Sequence, residues 1–428
     1  MLMTSWLNHW NARRQLRKTR RPRHNGRRVF TSWAAECLED RTLLSNIAIS
    51  AAAGVVALAG DSGNHDLTAT VTNGNLEFVG SYGTTLTYNH TTSTVVDVPL
   101  SQIGQVQALH ISMQGSGTNN IDFDAQDLGT INGNVVINLG NGGGSLNFLD
   151  ADVTGIVAVH SGGTGDAAIT LVNDTVGGVS IHTGAGDDTI LLADVTLQAR
   201  QLFSPNSFSD LPFDSWNLGS ALVIDTGAGN DTVELDSVIG DSSNWGNQWQ
   251  ITSSGNDAVT FVSDVDNGSL FISGWMSGND SVSISDSTFG QNVFISLPMG
   301  QDQIQINGST FEGAVFLTTG FGSGSSISID DSQFESLAAI TMFGSNAELD
   351  IETAGVSGPG TEFQGPVLID LLGSSSTVNL GTNSVSNALT FDSFVSILGS
   401  CSSTVNIDDA NVWFQYEPMV IGANRVDM

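Results

Sequence analysis

From about residue 105 onward, apolar residues fall in short apolar–x–apolar pairs, separated by turns rich in Gly, Asp and Ser. Three consecutive copies read LFISGWMSGNDSVSISDSTF at 270–289, VFISLPMGQDQIQINGSTF at 293–311 and VFLTTGFGSGSSISIDDSQF at 315–334. Each pair predicts a short strand whose two apolar side chains face one way. Nowhere do apolar positions recur at the 3.6 spacing of a helix. The first residue of the second pair sets a beat: Ile121, Leu146, Ile169, Ile190, Val233, Val259, Val282, Ile304, Ile327, Leu349, Val378 and Val405. The steps run from 21 to 29 residues, except for one of 43 after Ile190, close to two steps of 22. One coil between 193 and 220 is therefore expected to be degraded or replaced.

A unit near 22 residues is too short for a propeller blade or an immunoglobulin domain, which need about 40 and about 100 residues. It fits one coil of a solenoid, in which each coil buries its apolar side chains on the next. The expected fold class is all-β, a single-stranded parallel β-helix (β-solenoid) of about 12–13 coils, roughly 60 Å long at about 4.8 Å per coil. Phe289, Phe311 and Phe334 should stack as an internal ladder. Residues 46–104 carry hairpin signals such as Thr72-Asn73-Gly74-Asn75 and read as a small N-terminal β cap. Residues 105–410 form the solenoid, with 196–220 a lateral loop. Residues 411–428 leave the repeat and read as a C-terminal cap or tail, the aromatics of NVWFQY plugging the last coil.

Charge divides the chain in two. Residues 1–41 hold ten of the twelve Lys and Arg against Glu36, Glu39 and Asp40, a net of +7. The rest holds only Arg200 and Arg425 against 41 acids, a net of −39, and the two sum to −32. A body this acidic repels nucleic acid and attracts cations. The run NARRQLRKTRRPRHNGRR at 11–28 is too dense in like charge to fold alone and reads as a disordered basic arm. No apolar run reaches 18 residues, so no membrane span is expected. Cys37 and Cys401 lie in different regions and predict neither a disulfide nor a metal site.

Within residues 1–45, Leu38-Glu39-Asp40-Arg41-Thr42-Leu43-Leu44-Ser45 resembles the LEPR-XLL motif of planctomycete extracellular proteins, with Asp40 where that family has Pro. The resemblance spans about 20 residues with the basic leader, and it implies a secreted or cell-surface protein. A second resemblance is to the calcium-binding nonapeptide of RTX proteins, G-G-x-G-x-D-x-U-x. It rests on Thr183-Gly-Ala-Gly-Asp-Asp188-Thr-Ile190 and Thr226-Gly-Ala-Gly-Asn-Asp231-Thr-Val233, with Thr for the first Gly. Asp257, Asp280 and Asp302 recur at the same slot, so stacking should align five carboxylates as a Ca²⁺ candidate. With one copy per coil, the facing half-site of RTX proteins is missing.

Two further groups could carry chemistry. His160, His182 and Asp225 should be outward neighbours on successive coils, where ladder side chains are the simpler reading than a metal site. Trp216, Trp245, Trp249 and Trp275 cluster near the irregular coils and form the candidate ligand patch, since flat aromatics on a solvent face stack on sugar rings. Polysaccharide lyases of this architecture need basic residues, and Arg200 is the only one in the solenoid. A glycoside hydrolase needs only two carboxylates about 5–9.5 Å apart, which a column of Asp readily offers. No G-x-S-x-G, P-loop, H-E-x-x-H or dinucleotide fingerprint is present. The leading expectation is thus a non-enzymatic, structural or adhesin-like extracellular protein, with a surface polysaccharide as partner. The alternatives are a β-helix carbohydrate-active enzyme and a calcium-dependent glycan-binding module.

Overall fold

The computed structural model describes residues 45–198, 221–240, 248–274, 278–353, 359–382 and 389–428. The basic arm and the Leu38–Leu44 stretch lie outside them. Across the described residues the chain is a parallel β-solenoid of about 12 turns, with 60% strand and about 1% helix.

Each regular coil has three strands. In one of them these are Val293–Leu297, Gln303–Asn307 and Thr310–Phe311. Each strand pairs in parallel and in register with its equivalent one coil on, Val293 with Val315, Ile304 with Ile327 and Phe311 with Phe334. First and third strands of the coils build one sheet of 26 strands, and second strands build another of 16. Alternation along each strand turns Val293, Ile295 and Leu297, Ile304 and Ile306, and Phe311 into one continuous dry interior. The internal ladder runs further than Phe289, Phe311 and Phe334. It continues through Phe363, Phe391 and Phe414, with centroids 4.6–5.7 Å apart.

Two kinds of turn close the coil. After most second strands, one residue sits in the left-handed region: Asp150, Asn173, Asp194, Ser237, Ser263, Asp286, Gly308, Asp331 and Glu352. Side chains that tolerate this conformation, above all Asp, Asn and Gly, account for the polar residue that follows each second apolar pair. The turn after the first strand brings successive backbones together. A Cβ on Gly300 (φ 128°) would lie 1.4 Å from the carbonyl oxygen of Gly278, so only glycine fits there.

The 43-residue step hides no missing coil. Ile190 pairs directly with Val233, and Val179 with Leu222. Leu197 and Leu222 are 25 residues apart, where the equivalent Phe311 and Val315 are 4 apart. The excess of 21 restores the ordinary step of 22. The long step is therefore one ordinary coil with 21 extra residues between Leu197 and Leu222, and residues 199–220 of the expected 196–220 loop lie outside the described residues.

At the N-terminal end, Ser45–Ala52 pairs antiparallel with Val55–Gly60, and His65–Thr72 with Asn75–Gly80. Both hairpins turn on two residues with positive φ, Ala53-Gly54 and Asn73-Gly74, the geometry that matches strand twist. Val55–Gly60 and His65–Thr72 then pair in parallel with Ala108–Ser112 and Asn119–Asp124, the first coil. Residues 411–428 do not leave the repeat as expected. Val412–Phe414 completes the coil of Val395–Leu398 and Thr404–Ile407 as its third strand, and Met419–Ile421 and Asn424–Asp427 add the first and second strands of another, in register. Phe414 stacks on Phe391, while Trp413 and Tyr416 are exposed rather than plugging the interior.

Candidate functional site

The fold stacks Asp188, Asp231, Asp257, Asp280 and Asp302 in the expected column, but turns it inward. All five are at least 93% buried. The Oδ1 atoms of Asp231, Asp257, Asp280 and Asp302 each accept the backbone N–H of the preceding member, at 2.8–3.2 Å. Asp188 accepts from Ala167, and the Asp302 N–H passes the role to the Ser325 hydroxyl. The second oxygens of Asp188, Asp231 and Asp257 are buried without a well-formed hydrogen bond, beside the hydroxyls of Thr183, Thr226 and Ser253. Burial pushes all five carboxyls upward, Asp231 and Asp280 to about 6.

These residues do not fit a calcium cage. Ca²⁺ takes six to eight oxygens around one point, whereas here each coil offers one carboxylate with an oxygen already committed to the backbone. Among the described residues no three His, Cys, Asp or Glu converge on a common centre. The column is a clasp between coils.

A second inward column is not marked by one residue type in the sequence, because it runs Asp174, Val195, Val238 and Asp264 before continuing as Ser and Thr. Asp174 accepts the N–H of Ala151 at 2.8 Å, and Asp264 that of Val238 at 2.6 Å. Ser287, Ser309, Ser332 and Thr361 then each accept the N–H one coil back. The three Ser hydroxyls also donate to a carbonyl two residues upstream. Burial raises Asp174 and Asp264 to about 8, and Asp266, which takes the slot of the Phe ladder just before Phe289, to about 7. The signal was Asp or Ser directly after a left-handed position, at Asp174, Asp264, Ser287, Ser309 and Ser332.

His160, His182 and Asp225 are lateral neighbours, as their spacing implied. His182 Nδ1 lies 3.7 Å from an Asp225 carboxylate oxygen. The hydrogen bond from His182 holds the Asp225 carboxyl below its usual range, while burial, with His182 nearby, lowers His160. This is a partly exposed polar ladder on the outer face.

The tryptophan patch needs correction. Trp249 faces the interior with no exposure, its ring 6.4 Å from Phe261 and edge-on to Phe289 at 6.5 Å. It is the first apolar residue of its pair, equivalent to Leu222 and Leu270, so alternation sends it inward. Trp216, Trp245 and Trp275 lie outside the described residues. Of the two basic residues in the body, Arg425 is held by Glu417 and Asp427, and Arg200 lies outside the described residues.

The outer face carries a different aromatic row. Phe271, Phe294 and Phe316 each follow the inward Leu270, Val293 and Val315 on three consecutive first strands and point away from the core. Their rings stack 4.8 and 4.7 Å apart, within 12° and 2° of parallel. Two residues on, Ser273, Ser296, Thr318 and Thr341 form an outward hydroxyl row. At the following corner Met299, Phe321 and Leu372 are exposed, and Phe343 lies 4.9 Å from Phe321. In the sequence the row was visible as Phe between the apolar residues of LFI, VFI and VFL, where a polar residue was due.

Comparison of the chain with protein-family models, with curated proteins and with solved structures finds no match.

Proposed function

We propose that this protein is a non-enzymatic, secreted or cell-surface structural solenoid, adhesin-like in presenting its outer faces to an extracellular partner. The observation that carries the reading is the use made of the carboxylates. Those that looked like chemistry in the sequence, Asp188 through Asp302, are spent on tying each coil to its neighbour. A hydrolase would need a pair of carboxyls open to substrate on opposite sides of the bond to be cut. Two features support export: the basic leader, and the Leu38–Ser45 motif with its likeness to LEPR-XLL. A strongly acidic coat suits a protein that must stay dispersed outside the cell.

The test is to fractionate cells, locate the mature protein and sequence its N-terminus, then incubate the purified protein with neutral and acidic polysaccharides. Expected are surface or medium localisation, a start at or after the Leu38–Ser45 motif, and no new reducing ends. Cytosolic residence would defeat the export half of the proposal, and sustained glycan cleavage the non-enzymatic half.

A further inference from the structure

The outward phenylalanine stack stops abruptly. Phe271, Phe294 and Phe316 lie ring over ring, and the next position in register is Ala339, followed by Leu368. Because Phe294 and Phe316 are within 2° of parallel, the far face of Phe316 points along the solenoid axis toward the coil of Ala339. Alanine has no ring with which to continue the stack there. The notch has Phe316 as one wall, Ala339 as floor and Leu368, 37% exposed, as the other wall. Its walls stand two strand spacings apart, about 9.6 Å between backbones. Once the wall side chains are allowed for, that is room for one ring.

Polar groups edge the notch on one side only. Two residues on from Phe316, Ala339 and Leu368 come Thr318, Thr341 and Asp370. No hydrogen bond to another described residue occupies any of these three side chains. From Phe294 to Asp370 the outward positions of these first strands carry only one charge, that of Asp370, in a body of net −39.

We infer that this notch is a binding site for one pyranose ring of a neutral glycan, which continues the interrupted phenylalanine stack between Phe316 and Leu368. A pyranose presents apolar C–H groups on its faces and hydroxyls around its rim, and the notch presents apolar walls and an edge of two hydroxyls and one carboxylate. An aromatic side chain from a protein partner would fill the notch but leave those three groups unmatched. The surrounding negative field excludes uronates and sulfated sugars. A hydroxyl standing axially on the ring would collide with a wall, so the site selects sugars whose ring substituents are all equatorial, such as β-linked glucose.

This inference rests on the extracellular reading above and gives it a ligand. The test uses the purified full chain and cellohexaose, with binding followed by calorimetry and by saturation-transfer NMR. Products are read in the same tubes. Expected is saturable binding without cleavage. Phe316→Ala should weaken it at least about fivefold, in line with the loss of one ring contact. Ala339→Phe should abolish it while preserving or raising the melting temperature, because the added ring completes the stack. Asp370→Asn should weaken binding less than Phe316→Ala does. A β-mannan hexamer, with an axial hydroxyl on each ring, should bind more weakly.

No binding by the wild-type chain, or unchanged binding in the folded Ala339→Phe variant, overturns the site and leaves the extracellular reading standing. Self-association that Ala339→Phe removes would assign the notch to a second copy of the chain and also overturn the site. Cleavage of the hexamer would instead overturn the non-enzymatic reading.

Discussion

At the scale of single residues, the buried carboxyls set how the protein responds to pH. Asp174 and Asp264 titrate near 8, Asp266 near 7, and Asp231 and Asp280 near 6, all raised from 3.8 by burial. A carboxyl whose folded pKa is raised favours the native state fully below its unfolded value, and that contribution is lost as pH rises through the folded value. The melting temperature should therefore fall as pH climbs from about 4 to about 8. Asp225, lowered by His182, and His160, lowered by burial, act in the opposite direction and lose stability on acidification. The raised carboxyls outnumber them. Both oxygens of Asp264 are committed, to the N–H groups of Val238 and Val262, whereas the variant Asp174→Asn keeps an oxygen to accept the Ala151 N–H and removes one titration. It should melt higher than wild type at pH 8 and flatten the pH profile, as scanning calorimetry across that range would reveal. Which Asp were buried was partly legible in the sequence. The Asp188–Asp302 column showed as a repeated slot, but its inward direction depends on which side of a tight turn the carboxylate lands. Asp174 and Asp264 share their column with Ser287 and Thr361, so no single residue type marked it.

At the scale of the element, each strand is too short to stand alone and draws its stability from the copy beneath it. Thr310–Phe311 is only two residues long, yet Phe311 is stacked on both sides, 5.7 Å from Phe289 and 4.9 Å from Phe334. Phe334→Ala would open a cavity inside the ladder, at a cost of about 3–5 kcal/mol. Because a solenoid couples nearest neighbours, the loss should be local. Hydrogen exchange should accelerate first at Phe311 and Phe363, with amides near Ile137 little affected. Strand positions were the most legible feature of the sequence, because a period of two fixes which side chains share a face. Trp249, expected on the surface and found inside, obeys that period. Residue type alone suggests a surface stacker, but its place in the pair WQI sends it inward.

For the whole solenoid, the insertions tell most about what the architecture tolerates. By count the 43-residue step equals two coils, and a count alone cannot tell a lost coil from extra residues between two strands. Direct pairing of Ile190 with Val233 distinguishes them. Replacing residues 199–220 by a single glycine gives the Leu197–Leu222 connection the same length as Phe311–Val315. The shortened protein should fold with an unchanged circular dichroism spectrum and a melting temperature within a few degrees of wild type. Loss of the β signal would mean that the inserted segment supports the coils it joins.

The strict register of Val293, Val315, Ala338 and Val367 also makes the molecule a graduated scale. Anything displayed on an outer face can be placed only at whole multiples of one strand spacing, about 4.8 Å. Duplicating a single 22-residue unit would lengthen the ruler by one graduation and carry every downstream marking along by that amount, without altering the local chemistry of any of them.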